Sequence, residues 1–516
     1  MKGVWQKWQQ RKANRREDFL KGHTKKRLDK VPTSPLSPSV DANIADIHRY
    51  MGSSDDLIVR HFIIGPVDTG VHAALVFLDT MVDKMTINQF IIEYLASPYN
   101  DRFDPAMHNL KKSNDLRHVI TDLLSGDAVL FIEGQVEATL CGTIKYAKRS
   151  IEEPSTESVV RGPRDGFNES IVDNVSLIRK RLKDPSLRVR LFSIGERTNT
   201  ALNVVYIEGV APLHIVQEII QRIQSIQIDG VLESGYIEQM IQDYAWSPFP
   251  QLQTTERPDK VVANLLEGKV AIIVDGTPFV LVAPAIFNQF YQSPEDYYER
   301  FLISTFVRII RLISMAIALL MPSFYIAFSS FHPEMIPSRL VIAMAAGRAT
   351  VPFPSIIEAF IMEIAIEILR EASIRLPGPI GPTIGIVGAL VVGQAAVQAG
   401  LVSPIMVIIV ALTTIGSFAS PSYSAAISVR MLRFPMMILA GMFGLYGIMS
   451  FLILIAIHLS ALTSFGVPYM SPLSPVDLSS MRDYVFRAPF KWMKVRPRMF
   501  NSPDPSRQNW GNPNEE

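Results

Sequence analysis

Residues 376–429 read LPGPIGPTIGIVGALVVGQAAVQAGLVSPIMVIIVALTTIGSFASPSYSAAISV, and this stretch contains no Asp, Glu, Lys or Arg. As one helix it would extend roughly 80 Å, whereas the hydrocarbon core of a bilayer is about 30 Å thick. We therefore predict two membrane-spanning helices, near 384–400 and 405–418, that reverse at Leu401–Pro404, because Pro404 disfavours helical geometry in the preceding residue. The alternative is a buried hairpin of a soluble protein, which would need a large domain to cover its apolar surface.

The rest of the 516-residue chain divides into an ordinary polar half and a strongly apolar region over 301–465. The net charge of +1 argues against nucleic-acid binding, which needs a basic face. The single cysteine, Cys141, excludes an intrachain disulfide and favours a reducing compartment. Residues 1–30 are basic and lack the apolar core of a secretory signal, so we expect the polar half to be cytoplasmic.

The polar half contains two similar blocks. LIVRHFIIG at 57–65 matches LRVRLFSIG at 187–195 in six of nine positions, and the hairpin-like segment 126–134 resembles 268–276. Apolar strands and helical patterns follow one another in the same order in both blocks, which predicts two tandem copies of one α/β unit.

The predicted fold class is an α/β soluble region of two tandem similar subdomains followed by an all-α polytopic membrane domain. We expect six segments along the chain: a basic, partly disordered arm (1–55), the first α/β subdomain (56–150), a linker with an amphipathic helix (151–185), the second subdomain (186–299), the helical membrane domain (300–465) and a cytoplasmic tail (466–516).

The first long apolar helix is predicted over 302–328, and it carries Arg308 and Arg311 near its N-terminal end. Residues three apart share a helix face. We interpret both arginines as interfacial, with side chains that snorkel to the cytoplasmic membrane surface.

A second helix, over 354–375, carries Glu363, Glu367 and Glu371 within about 80° of one another. A lipid-exposed carboxylate is costly, so this acidic face is expected at the membrane interface or along a vestibule. A full crossing by this helix stays open. With a last span predicted over 434–458, the chain crosses four times if this helix does not cross and five times if it does.

The candidate pore lining is a narrow stripe on the helix near 384–400, formed by Val387, Val391, Gln394 and Gln398. Valine rings can act as a dewetting gate, and glutamine amides can meet a partly hydrated monovalent cation. One stripe cannot enclose a conduit, so this hypothesis requires a homo-oligomer. The alternative is that both glutamines hydrogen-bond neighbouring helices.

No catalytic signature is present in the polar half: no zinc-protease helix motif, no Gly-x-Ser-x-Gly elbow and no phosphate-binding glycine loop. The nine histidines are scattered, and none forms a cluster with Cys at metal-ligand spacing. We therefore predict a protein that is not an enzyme and has no cofactor or metal.

The sequence also contains several longer motifs: RGPRDGFNES at 161–170, SPFPQ at 247–251 with TERPD at 255–259, VDGTPF at 274–279, FHPEMIP at 331–337, IGP at 380–382 and VGALVVGQAA at 387–396. Together these motifs resemble the GerA family, the A subunits of spore germinant receptors. The resemblance covers roughly residues 55–475.

This resemblance implies a multi-pass protein of the spore inner membrane in endospore-forming bacteria. It also implies partners: a transporter-like B subunit that binds the germinant, and a lipoprotein C subunit. The A subunit would form a ring that acts as a nutrient-gated cation channel. A relative encoded with the SpoVA dipicolinic-acid system shares the fold, and the sequence does not separate the two. The alternative function is a non-conducting scaffold that couples the receptor to dipicolinic-acid release.

Overall fold

The computed structural model describes residues 31–65, 70–88, 110–144, 153–375, 388, 391–477 and 480–508. The strands are β1 Leu57–Ile64, β2 Val71–Leu78, β3 Leu110–Ser113, β4 Ala128–Ile132, β5 Ala138–Cys141, β6 Leu187–Ile194, β7 Thr200–Ile207, β8 Gln253–Thr255, β9 Val270–Val274, β10 Val280–Ala283, β11 Thr463–Ser464 and β12 Val467–Pro468. The helices of the polar half are α1 Val40–Met51, α2 Lys84–Thr86, α3 Leu116–Leu123, α4 Ile171–Arg181, α5 Leu213–Gln224, α6 Ser234–Ile241, α7 Pro258–Leu266 and α8 Glu295–Tyr298. The apolar region contains α9 Phe301–Ser330, α10 Ser338–Arg348, α11 Ser355–Ile374, α12 (391–398), α13 Pro404–Phe418, α14 Tyr423–Phe443 and α15 Leu445–Ala461.

The two predicted copies fold into two antiparallel five-stranded sheets of the same topology. Their strand orders are β1-β2-β4-β5-β3 and β6-β7-β9-β10-β8, so each strand of the first sheet has a counterpart in the second. The first hairpin of each sheet pairs over eight residues, from Leu57↔Leu78 in one copy and from Leu187↔Ile207 in the other. The predicted duplication is therefore confirmed.

The copies also share a polar detail at the start of their first helices. Asn43 accepts a 2.8 Å hydrogen bond from the Ser37 amide and donates one of 2.7 Å to the Ser37 carbonyl. Asn174 makes the same two bonds with Asn168, at 2.9 and 2.6 Å. A buried asparagine that satisfies both groups of a backbone residue fixes the entry of the helix onto the sheet.

Helices of the described chain lie within two of the predicted segments, the arm and the linker. Of the arm predicted over 1–55, residues 31–55 are described, and α1 packs its apolar face on the first sheet through Val40, Ile47 and Met51. The linker helix predicted within 151–185 is α4, whose apolar face is buried on the second sheet in the same manner.

A buried ion pair joins the two copies. The Arg179 guanidinium on α4 donates two 2.8 Å bonds to the carboxylate of Asp56, which precedes β1. Ser54 accepts from the same guanidinium and also accepts from the Val189 amide of β6. The first strand of each copy is thereby held to the other copy.

Side-chain caps start several of these helices. Asp115 caps α3, Ser170 caps α4, Ser403 caps α13 and Ser422 caps α14, each accepting from a backbone amide of the first turn. Such caps satisfy donors that have no partner inside the helix. Pro404 adds to the start of α13, because its missing amide is no loss at the first helical position.

The apolar region is a bundle in which α9 leads away from the α/β copies and α11 returns. Ser355 at the start of α11 is 2.5 Å from Ser330 at the far end of α9. At the other end of α11, the Arg370 side chain donates a hydrogen bond to Ser417 of α13. The neighbouring Gly416 lies against the backbone of Ser314, in the fourth turn of α9. The Glu-bearing helix therefore runs antiparallel to α9 through most of the bundle depth.

The hairpin predicted near 384–418 follows α11 in the chain. Gly388 lies beside Leu369, and Gly400 lies against the Thr350 carbonyl at the far end, so α12 leads outward again. The helix α13 then returns as predicted for 405–418. Residues 376–387 lie outside the described chain.

The span predicted over 434–458 is wrong, because the structure contains two helices there. Gly444 has φ +60, a left-handed conformation that favours glycine, and it separates α14 from α15. It lies beside Phe331 and His332 at the far end, where a Cβ atom would clash. The pair α14–α15 is thus an antiparallel hairpin.

Both ends of the bundle attach to the second α/β copy. The helix α9 begins directly after this copy, and α15 ends where His458 contacts Ser247 at 3.0 Å. The hairpin β11–β12 follows, and Phe465 and Val467 enter the core of the second copy. Among the described helices, six run alternately away from and toward the α/β copies (α9, α11, α12, α13, α14 and α15), so both ends of the bundle lie on one side.

The predicted tail, from 466 onward, also folds back on the second copy. Phe500 is buried in its core and lies under the ammonium of Lys269, 4.8 Å from the ring centre. Arg496 donates a 2.7 Å bond to the Leu266 carbonyl. Residues 466–477 and 480–508 are therefore part of the folded unit.

Candidate functional site

The buried charges of the helical bundle are concentrated on α11. Glu358, in its first turn, is fully buried. Its carboxylate accepts a 2.5 Å bond from the Ser403 amide and a 3.2 Å bond from the Tyr325 hydroxyl, and it lies 3.6 Å from the guanidinium of Arg348. One carboxylate thus connects α9, α10, α11 and the start of α13.

One and a half turns along α11, Glu363 pairs with Arg433 of α14. Both side chains are almost completely buried. Arg433 also donates a 2.7 Å bond to the Ala318 carbonyl of α9. A buried charge is tolerated only when it is paired and hydrogen-bonded, so this pair requires α9, α11 and α14 to keep their present arrangement.

The next acidic residue, Glu367, pairs with Arg430 at 3.0 Å and with Arg370 at 3.9 Å. Arg370 donates a 3.0 Å bond to Ser417 on α13. Glu371, in the last two turns of α11, is exposed and pairs at 2.5 Å with Arg375, the residue that follows this helix. The three predicted carboxylates therefore differ in environment, from buried at Glu363 to exposed at Glu371.

An open groove about 630 Å³ in volume runs beside the outer two carboxylates, between α11 and α14. Its polar lining consists of Glu367, Glu371, Arg375 and Arg430, and alanine, isoleucine, methionine and phenylalanine side chains supply the rest. The predicted vestibule position of the acidic face stays a prediction, but these charges do line a groove.

Sequence reasoning missed the cationic partners of this acidic face. Arg430 and Arg433 lie three residues apart on α14, so they share a face and meet carboxylates four residues apart on α11. The matched spacing of the arginines and the carboxylates was the sequence signal that could have predicted these ion pairs. The prediction would also have required knowing that α11 and α14 are neighbours.

Arg308 and Arg311 lie in the first three turns of α9 and are both turned toward protein. Arg308 is fully buried between Asp296, at 2.9 Å, and Asp483 of the tail, at 2.8 Å. Arg311 pairs with Asp296 at 2.8 Å. Their depth relative to a membrane surface stays a prediction.

The candidate pore stripe is partly described. Val391 is 57% exposed, and Gln394 and Gln398 are exposed as well, so these three side chains share the open face of α12. Gly393 is buried on the opposite side, where it lies against Val407 of α13. Val387 lies outside the described residues. Neither glutamine side chain hydrogen-bonds another helix among the residues that the structure describes.

The comparisons with known proteins cover nearly the whole chain. A family model described as "Bacillus/Clostridium GerA spore germination protein" matches residues 45–499. The chain belongs to the GerA family. It is 46% identical to spore germination protein KA of Bacillus subtilis over 483 residues, which are 92% of this chain and 89% of that protein. It is 42% identical to spore germination protein GerLA of Bacillus cereus, over 89% of this chain and 95% of that protein.

The chain is also similar to a solved structure, the N-terminal domain of the A subunit of the Bacillus megaterium spore germinant receptor GerK3. It is 33% identical to this chain, covers 50% of it and 98% of the solved domain, and aligns with a TM-score of 0.39. The GerA-family relatives are named as spore germination proteins, and membership supports a germinant-receptor role for this chain.

The chemistry available to this GerA-family chain is that of buried ion pairs and exposed amides. Among the described residues, no group of three His, Cys, Asp or Glu side chains is placed to hold a metal ion. Two described helices, α9 and α14, are long and apolar enough to span a bilayer, and α13 and α15 are shorter apolar helices. These helices suggest association with a membrane.

Proposed function

We propose that this chain is the A subunit of a spore germinant receptor and that several copies form a nutrient-gated cation channel in the spore inner membrane. The observation that carries the proposal is the exposed pair Gln394 and Gln398 on an otherwise apolar helix. Two amides without partners would be costly in lipid. Contact with water or with another copy removes that cost.

The arrangement of α12 supports a ring of copies. Its small-residue side packs on α13 through Gly393, so its polar side faces away from its own bundle. Around a symmetry axis, that side would bring one Val391 and two glutamines from each copy to a common centre. Valines would then narrow the conduit, and amides would replace part of the hydration shell of a monovalent cation.

Six passes by the described helices support an inner-membrane topology with both α/β copies and the tail on the cytoplasmic side. An even number of crossings places both ends of the bundle on one face, and a tail with Lys491, Lys494 and Arg496 favours the cytoplasmic face. The four or five crossings expected from the sequence remain a prediction, and six crossings are proposed here from the described helices. A transporter-like B subunit would bind the germinant, and a lipoprotein C subunit would complete the receptor.

The buried ion pairs of α11 supply a means of gating. They join α11 to α9, α13 and α14, and α11 is the helix that precedes the predicted pore hairpin. A movement of α14 relative to α11 would have to break or exchange these pairs. Arg370 and Glu367 each retain a buried atom without a hydrogen-bond partner among the described residues, so exchange of partners is available to them.

The experiment that tests the proposal is ion flux through the purified protein in liposomes, combined with subunit counting by crosslinking. The double variant Q394L/Q398L is expected to lower cation flux strongly while leaving oligomer size unchanged. The matched control is Q239L, since Gln239 is an exposed glutamine on α6 of the soluble copy. Unchanged flux in Q394L/Q398L would remove the pore-lining role.

Cysteine accessibility gives a second readout. The native Cys141 is buried, and burial raises the pKa of its thiol to about 12, so it does not compete for reagents. The variants V391C and Q398C should react with a water-soluble thiol reagent, whereas I408C on α13 should not. A solitary, non-conducting protein would instead support the scaffold function that couples the receptor to dipicolinic-acid release.

A further inference from the structure

An open groove about 930 Å³ in volume lies where the first helix of the bundle emerges from the α/β region. One wall is the first three turns of α9, including Leu302 and Phe306, which are 68% and 64% exposed. The other wall is the tail segment 482–494, which presents Phe486 and Trp492, 67% and 64% exposed. The exposed surface of both walls is therefore mainly apolar and aromatic.

The tail is held firmly enough to form a fixed wall. The Arg487 amide donates a 3.2 Å bond to the hydroxyl of Thr305 on α9. The Arg487 guanidinium donates to the Glu299 carbonyl at 3.2 Å and lies 4.4 Å from the ring centre of Phe490. Arg487 is buried, so its guanidinium stabilises the wall and is not available to a ligand in the groove.

Two further cations reach the groove, and none of the described residues that line it carries a carboxylate. Arg482 is exposed and donates a 3.3 Å bond to the Trp492 carbonyl, and Lys494 is exposed and makes no ion pair with any described residue. The carboxylate of Asp483, next to Arg482, is turned inward to Arg308. The groove therefore combines an apolar floor with a positive rim.

The position of the groove decides which ligand fits. It lies at the end of the bundle that faces the α/β copies, where α9 begins at Phe301. A second exposed tryptophan, Trp246, lies at the same end, next to the Ser247 that bonds to His458 in the last turn of α15. Tryptophans are enriched at the level of lipid headgroups.

We infer that this groove binds one anionic phospholipid, with its acyl chains along Leu302 and Phe306 and its phosphate between Arg482 and Lys494. Basic pockets beside membrane helices on the cytoplasmic side bind anionic headgroups in this manner. A lipid in this position bridges α9 and the tail. The inference rests on the membrane placement proposed above but not on ion conduction.

The test uses the full-length protein with Trp492 as its only tryptophan, after Trp5, Trp8, Trp246 and Trp510 are replaced by Phe. It is reconstituted in phosphatidylcholine nanodiscs that contain a small fraction of brominated phosphatidylglycerol or brominated phosphatidylcholine. Quenching of Trp492 fluorescence by the anionic lipid is expected to be several-fold stronger than by the neutral lipid, because the groove enriches it.

The double variant R482Q/K494Q should make the two lipids quench equally. The control R197Q/K111Q makes the same change of charge at two exposed positions of the α/β copies and should retain the preference. Equal quenching in the parent protein, loss of preference in the control, or no quenching by either lipid would overturn the inference. Ion flux measured on the same samples separates this result from the proposed channel function.

Discussion

The buried Arg308 of α9 and the partly exposed Asp483 of the tail form an ion pair of 2.8 Å across 175 residues of chain. The Tyr297 hydroxyl donates a further 2.7 Å bond to the same carboxylate. Burial, the largest effect, and the neighbouring Asp483 both raise the pKa of Tyr297 well above its usual value, so this hydroxyl stays a donor. The first bundle helix and the tail are therefore locked at one polar junction.

The variant D483N should destabilise this junction. It removes one of the two carboxylates that neutralise Arg308, and Asp296 remains as the other. We expect a loss of roughly 2 kcal/mol in the free energy of unfolding, less than for a fully unpaired buried charge. Thermal unfolding in detergent measures it, with the exposed-site variant D229N as control. An unchanged midpoint in D483N would contradict a structural role for the pair.

The variant D56N should loosen the contact between the two α/β copies. Asp56 and Arg179 are 4% and 0% exposed, so the variant leaves a buried guanidinium without its counter-charge. The expected cost is about 3 kcal/mol. Hydrogen exchange should become faster in β1 and β6 together, while the far end of the bundle keeps its protection. Faster exchange in β1 alone would mean that the pair does not couple the copies.

Lys269 should make stability depend on pH. Its burial, the largest effect, lowers the pKa to about 8 despite the opposing influence of Glu267. Between pH 8 and the usual value of 10.5, the unfolded chain binds a proton that the folded chain lacks, so stability rises with pH across this interval. Below pH 8 both forms are protonated, and the cost of burying the charge is at its maximum.

The variant K269M should abolish that rise, which amounts to roughly 3 kcal/mol at most. Denaturant unfolding at pH 7 and pH 9.5 gives the change in the free energy of unfolding for the parent and for the variant. The difference between these two changes isolates Lys269, because the contributions of the other titrating groups cancel. K111M is the control, because Lys111 is exposed on β3. The same pH profile in parent and K269M would show that Lys269 does not titrate in this window.

The pair Glu363–Arg433 should behave as a buried ion pair. Because E363Q leaves the Arg433 guanidinium buried without a carboxylate, we expect about 3–5 kcal/mol of destabilisation. The double variant E363L/R433M removes both charges and should recover most of it. Thermal midpoints of the parent, E363L, R433M and the double variant complete the cycle. A double variant as unstable as E363Q would indicate that packing, rather than charge, is at stake.

The sequence was sufficient for features that depend on neighbours along the chain. The match between 57–65 and 187–195 identified the repeated unit, because both segments form the first strand of the same topology. Pro404 marked the start of α13 because its effect on the backbone is local. In contrast, nothing local in 434–458 indicated the break at Gly444, which depends on contact with Phe331 and His332 of another segment.

The number of helical passes and the partners of the charges were decided by tertiary structure. Apolar periodicity predicts that a helix is buried or in lipid, but not which helices are neighbours. Arg433 pairs with Glu363, which is 70 residues away in the chain, and Arg308 pairs with Asp483, which is 175 residues away. The sequence alone determined the repeat, the uncharged hairpin and the family. How the charges are neutralised was determined only by the folded chain, because charge pairing depends on distance in space.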